Sequence, residues 1–333
     1  MSLTQSDYPF ASAGDLFRVP YAEIAHLARS SAQKMGWKSA AEDVLRTELV
    51  LIDVQNTFCL PGFELFVGGR SGTAAVEDNQ RLQEFIIRNI ASISGISATL
   101  DTHSAFQIFH PAFFINQNGE HPTAYSDLQV DDLLNGTWKF NPSIAPQFGI
   151  SAEYGQARVV HYAQTLAKKG KFALTIWPYH AMLGGVGHAL VPAIEQAIFF
   201  HSIARYSPAD LMIKGRAEFT ENYSALSPEV LFDVDDQPLG YPDDSIFQKL
   251  LRCDRMIITG QAKSHCVAWT VSDLLTRIKA SDPSLAKKVY LLEDCTSPVV
   301  VPGVVDHTEN SDKAFEEFYS TGIKPLRASD SMD

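Results

Sequence analysis

The sequence predicts an α/β fold built on a parallel sheet covered on both faces. Three observations predict it. Short apolar runs alternate with helical patterns along most of the chain. The runs are continuous rather than alternating polar and apolar, as in strands buried on both faces. They stop on glycine or on polar residues, so each leaves the sheet at a defined point.

The elements follow in order. "TELVLIDVQ", residues 47–55, is an apolar strand with a polar exit, and "NQRLQEFIIRNIASI", residues 79–93, is a helix. "ISATLDTH", residues 96–103, is a second strand with polar residues at its exit. "FALTIW", residues 172–177, reads as a further short strand. Residues 185–203 have helical periodicity, with Pro192 tolerable only near the first turns. Residues 210–215, 255–260 and 288–294 are strands, residues 308–322 a helix stopped by glycine, and "IKPLRAS" from Ile323 a last strand. After Cys266, Val267, Val271, Leu274, Leu275 and Ile278 recur at helical spacing. Two regions break the alternation. Residues 1–46 form a helical arm, and residues 112–171 a long insert rich in Asn, Pro and Gly, with only 159–169 helical. An insert of that length is a lid, an interface or a mobile segment.

Composition narrows the partners. With 333 residues, 45% hydrophobic and 20% charged, the chain is ordinary globular material. It carries 27 basic against 39 acidic residues, net -12, and residues 167–171 are its densest basic stretch, so nucleic acid is excluded as a partner. The N-terminal residues lack a secretory pattern, and no apolar run reaches membrane-spanning length, so no membrane association is expected. Cys59, Cys253, Cys266 and Cys295 are scattered without paired spacing. That argues against a disulfide scaffold or zinc ribbon and for a reducing, cytoplasmic location.

The strand exits carry the reactive residues. In parallel α/β sheets the site lies beyond the C-terminal strand ends. Asp53 leaves the first strand, and Asp101 and His103 leave the second, two apart and so on one side of extended backbone. Lys214 closes "LMIK", and Cys266 sits where a strand gives way to a helix. The partial positive charge of a helix start favours thiolate, the nucleophilic form. The plainer reading of Cys266 is a small buried hydrophobe, of Asp53 a turn residue and of Lys214 a surface lysine.

These segments, in this order, resemble the nicotinamidase and isochorismatase-like cysteine hydrolases over most of residues 48–326. "LVLIDVQNTF", "DTH", "IWPYHAMLGGVGHAL", "MIKGRAEFTENYSAL" and "ITGQAKSHCVAWTVSDLL" each resemble a segment of that family. The resemblance implies one three-layer α/β/α domain over residues 1–333, Rossmann-like, with a mainly parallel six-stranded sheet. It implies Asp53, Lys214 and Cys266 as the catalytic set, with an oxyanion hole at Ala262 and Cys266 behind a cis Gln261–Ala262 peptide. It implies a divalent metal on Asp101, His103 and His180, with His110 as a candidate further ligand and His121 an outside one. Zinc is expected, with iron or manganese as alternatives. Phe58 and Trp177 match substrate-stacking positions. The expected activity is hydrolysis of a small, heteroaromatic or related, amide to acid and ammonia through a thioester. The expected partners are that small-molecule amide and further copies of the chain in a homo-oligomer.

This chain departs from the family at Ala181, where a cysteine is usual, in the length of the insert, and at Lys263 and His265, which crowd the nucleophile with basic groups. The substrate therefore stays open. Two other readings stand beside the first: a metal-free cysteine amidase acting on a carbamoyl or ureido compound, and a non-catalytic binding or scaffold protein. Bound metal separates the first two, and ammonia release excludes the third.

Overall fold

The computed structural model describes residues 8–170 and 172–332. Residues 1–7 of the expected arm, Lys171 at the end of the expected insert, and Asp333 lie outside the described residues. Among those described, six strands form the central sheet: β1 (Thr47–Ile52), β2 (Gly95–Asp101), β3 (Asp210–Lys214), β4 (Arg255–Gly260), β5 (Val289–Leu292) and β6 (Lys324–Leu326). Their order is β6-β5-β4-β1-β2-β3, and every neighbouring pair is parallel. The chain runs from β1 to one side through β2 and β3, then crosses back to begin β4 on the other. The switch point therefore lies between β1 and β4, where such sheets open a crevice for ligands.

The continuous apolar runs have a direct cause. Leu49 and Leu51 of β1 face one core, Val50 and Ile52 the other, and all four are fully buried. The helices of eight residues or more among the described residues are α1 (Tyr21–Met35), α2 (Ala74–Arg88), α3 (Ala152–Lys169), α4 (Pro192–Arg205), α5 (Ser245–Arg252), α6 (Ala268–Ser281) and α7 (Thr308–Ser320). Helices α1, α2 and α4 cover the first face and α5, α6 and α7 the second, giving three layers. Register levels the strand exits. Ile52 pairs with Gly260 and Asp101 with Lys214, so four functional exits emerge at similar height. Gly260 is required there. At φ 123°, a Cβ on it would lie 2.0 Å from the Ile52 carbonyl oxygen.

Three segments differ from the sequence reading. The helix expected over 185–203 begins only at Pro192, whose missing N–H is harmless in a first turn; residues Val186–His188 form a separate 3₁₀ turn. Within residues 172–177 only Leu174–Thr175 is strand, and it pairs antiparallel with Asp127–Leu128, outside the central sheet. Helix α3 starts earlier than residue 159. Its Ser151 side chain accepts from Tyr154 N at 3.1 Å, and Gly170 closes it in the left-handed conformation. The insert is not a bare loop. Phe113, Phe114, Phe140, Val159, Tyr162 and Trp177 pack with Phe219 into a third apolar cluster.

Candidate active site

Asp53 follows β1 in a left-handed conformation, φ 47°, uncommon for a residue with a side chain. Thr99 of β2 holds it there. The Asp53 backbone N–H donates to Thr99 Oγ1 at 2.9 Å, and the same hydroxyl donates to Asp53 Oδ1 at 2.6 Å. The other carboxylate oxygen faces Lys214, whose Nζ lies 2.9 Å away. That ammonium also lies 3.0 Å from Asp101 Oδ1, donates to Asn222 O at 2.7 Å, and reaches Cys266 Sγ at 3.7 Å. All of these side chains are buried, so each charge is compensated by a neighbour rather than by water.

The electrostatics follow from that burial. Burial works against the Lys214 charge, yet Asp101 and Asp53 outweigh it and hold the ammonium well above an ordinary lysine. Burial pushes Asp53 up, opposed by Lys214. Burial opposes ionisation of Asp101, but His103 and Lys214 hold it below the usual carboxylate range. Cys266 departs from the helix-start expectation. It lies in a π-helical turn, Lys263–Val267, ahead of α6, and burial pushes its thiol well up, with Lys214 opposing and Asp53 adding to the rise. Burial thus favours the thiol form, with Lys214 Nζ 3.7 Å from its sulfur. A reaction that used this sulfur would have to take its proton first.

Next to this set stand three imidazoles. The ligating nitrogens of His103, His110 and His180 lie within 4.8 Å of one another, and all three rings are buried. His103 Nδ1 is 3.2 Å from His180 O, and His180 Nδ1 is 2.7 Å from Pro178 O, which aims both Nε2 atoms at a common point. Asp101 borders that point, with Oδ1 3.1 Å from His103 Nε2 and Oδ2 4.0 Å from His180 Nε2. Both ring nitrogens of His110 are buried without a hydrogen-bond partner. Burial pushes His180 well down and His110 down to about 3, so both present neutral lone pairs. Gly215, at φ 81°, leaves the space open; a Cβ there would lie 2.5 Å from Asp101 Oδ1. Burial opposes the charge of His103, but Asp101 beside it raises its affinity for a proton, the place a cation would take. With the unpartnered His110, two neutral imidazoles and cleared space, the set fits a divalent cation with nitrogen and oxygen ligands. His121 is not among these rings; its Nδ1 lies 2.6 Å from Phe114 O within the insert.

Cys266, Ala262, Asp101 and His180 line one cavity of about 30 Å³ with Phe58, Trp177, Leu65, Val67, Glu221, Tyr223, His265 and Val299. Both expected stacking residues are therefore in its wall. Phe58 meets the His180 ring edge-on at 5.6 Å, and Trp177 Nε1 donates to Tyr223 OH at 3.0 Å. Ala262 and Cys266 sit at the turn between β4 and α6, and the Gln261–Ala262 peptide is cis. Lys263 turns away to pair with Asp312 at 2.5 Å, whereas His265 lines the cavity. A wider groove of about 410 Å³ opens at the N-terminal strand ends, the end from which these sheets do not present their chemistry.

Several contributors were not singled out from sequence. Gln55 clamps the Asp101 backbone, donating from Nε2 to Asp101 O at 2.8 Å and accepting from Asp101 N at 2.8 Å. Thr99 was detectable in principle, being a hydroxyl inside an apolar strand, two residues before Asp101. Glu221, a buried carboxyl pushed up to about 8 by burial with Asp101 adding, lies in a loop and gave no periodic signal.

No family model matches this chain, and no curated protein matches it in sequence. Solved structures do resemble it. The Acinetobacter baumanii nicotinamidase pyrazinamidease is 17% identical, with 85% of this chain and 96% of that one covered at a TM-score of 0.49. The yeast nicotinamidase Pnc1p bound to nicotinaldehyde is 17% identical over 84% of this chain and 99% of that one, also at 0.49. The N-carbamoylsarcosine amidase from Thermoplasma acidophilum is 13% identical over 87% and 100%, at 0.41.

Proposed function

We propose that this protein is a metal-containing cysteine amidohydrolase, nicotinamidase-like, that releases ammonia from a small amide through a thioester. The observation that carries the reading is the Lys214 ammonium, which ties Asp53, Asp101 and Cys266 Sγ into one buried group at the β1/β4 crevice.

Each residue has a step. Asp53 accepts the Cys266 thiol proton as sulfur attacks the amide carbonyl. Its raised affinity for a proton suits it to that task, and Lys214 stabilises the thiolate and carboxylate in turn. The oxyanion forms against the backbone N–H groups of Ala262 and Cys266. Asp53 then passes its proton to the departing nitrogen, and ammonia leaves a thioester on Cys266. Water, deprotonated by Asp53, attacks the thioester; the acid departs and the thiol is restored. Phe58 and Trp177 hold the flat part of the substrate. Asp101, His103, His110 and His180 would hold the divalent cation, a Lewis acid that polarises or orients a bound group.

Metal analysis of the purified protein, paired with ammonia release across a panel of primary amides, tests this. Stoichiometric metal and turnover of at least one amide are expected. Turnover without metal would favour the carbamoyl or ureido amidase. No turnover of any amide would leave a binding protein.

A further inference from the structure

The central sheet has two edges, and the sequence treats them differently. At one edge β6 is short and carries Lys324 and Pro325, both exposed. A lysine, and a proline with no N–H to offer, keep an edge from pairing with another chain. At the other edge β3 pairs with β2 alone. Its middle is Leu211, Met212 and Ile213, with no proline and no charge. Among the described residues, these three make no backbone hydrogen bond outside the β2 ladder. The outer row of N–H and C=O groups on β3 is therefore open.

The side chains are as open as the backbone. Strand alternation puts Leu211 and Ile213 on one face and Met212 on the other. Met212 packs against the second core, whereas Leu211 and Ile213 join no core and are each 52% exposed. Tyr206, which follows α4 in a left-handed conformation four residues before the strand, is 74% exposed. An unblunted edge and two large apolar side chains thus share one short strand.

The ends of the strand say what fits it. Asp210 opens it with a half-exposed carboxylate, and Arg216 stands just past its end, exposed and without an ion pair among the described residues. A copy of this strand laid parallel would set like charges together. Laid antiparallel, it brings each Arg216 to the Asp210 end of the other. With Met212 opposite its own copy, Leu211 of each strand faces Ile213 of the other, and all four exposed side chains are covered in two cross-strand pairs. The neighbouring registers set one of the two against Ala209 or Gly215 instead.

We infer that this chain forms a two-fold dimer in which β3 of one copy pairs antiparallel with β3 of the other, joining the two six-stranded sheets into one. The contact is isologous and closed. Each copy uses its open edge once, and the lysine and proline of β6 stop growth at the far edges. The paired strand is the one that ends in Lys214, so the contact braces the exit that carries the ammonium. The inference is independent of the chemistry in the crevice.

Sedimentation velocity of the full-length protein from about 1 to 100 µM tests it, since interfaces of ordinary size run from micromolar downward. The wild type is expected as a dimer. Leu211→Lys changes an exposed position, and should weaken the dimer at least about tenfold while leaving the urea midpoint in place. Cross-linking reads the register. A chain carrying both Leu211→Cys and Ile213→Cys should form disulfide-linked dimers on mild oxidation, because the two positions face each other across the interface. Neither single change should, since each position lies about 7–8 Å from its own copy, too far for a disulfide. The native cysteines are buried and do not compete. Cross-linking by the double variant alone supports the pairing even if Leu211→Lys does not fold. A wild type that is monomeric at every concentration overturns the inference. So does a dimer that folded Leu211→Lys leaves intact, or single variants that cross-link as readily as the double.

Discussion

Replacing Lys214 by Met is the most informative single change. The side chain keeps its length and loses the charge that separates two buried carboxylates. At an effective dielectric of about 20, charges 2.9 Å apart interact by about 6 kcal/mol. The Asp101 contact at 3.0 Å contributes similarly, and the desolvation of Lys214 offsets much of both. Breaking such a pair leaves a net loss of about 3–5 kcal/mol. The sign with pH is fixed. In the wild type Asp101 is held below the usual carboxylate range, so it contributes stability present above its unfolded value, about 3.9, and lost as pH falls through the folded one. Without Lys214 that contribution shrinks. The gap between wild type and Lys214→Met should therefore hold from pH 7 down to about pH 4 and narrow as pH falls further. Urea unfolding at matched metal content measures it, and equal m-values secure the comparison. A gap under about 1 kcal/mol at neutral pH, or one that widens on acidification, would refute the reasoning.

Cys266→Ala should abolish ammonia release and leave the unfolding midpoint within about 1 kcal/mol of wild type, since a small buried side chain is exchanged for a smaller one; residual turnover near wild type would remove it as nucleophile. His180→Ala should lower metal content at equilibrium and raise KM more than it lowers kcat, and an unchanged metal stoichiometry would take His180 out of the ligand set. Stability should fall in alkali. Burial raises the Cys59 thiol up to about 12 and the Cys253 thiol up to about 11, while both are near 8.5 when unfolded, so above that value the unfolded state releases protons first. At about pH 9.5 the two thiols together cost about 3 kcal/mol, and Cys59→Ala should flatten that slope in calorimetric or urea titrations.

The parts legible in sequence were those with a local cause. A strand buried on both faces must be continuously apolar, so β1, β2, β4 and β5 were plain, and the residues at their exits could be named. Asp53, Asp101 and Lys214 could be singled out this way because parallel register brings such exits together, and their side chains do meet. What depends on distant packing was not legible. The state of the Cys266 thiol is set by burial more than by the helix start, and burial is a property of the assembled crevice. Glu221 and Tyr223 reach the cavity from a loop whose course no periodicity encodes. The strand expected over 172–177 failed for the same reason, since its apolar residues serve the insert's own cluster rather than the sheet.

That cluster has an end in the active site. Trp177 belongs to the same apolar cluster as Phe113, Phe140 and Phe219, meets Tyr125 edge-on, and lines the cavity, donating to Tyr223 OH. The Asp53, Lys214 and Cys266 group is anchored at the strand exits, whereas this wall belongs to a separately packed cluster. A conservative change such as Phe140→Leu, made within that cluster, would loosen the seat of Trp177 and reshape the cavity wall while the Cys266 thiol, the Asp53 carboxylate and the Lys214 ammonium stay in register. Retuning the selectivity of this protein would then begin in the insert's aromatic core, with the chemistry left untouched.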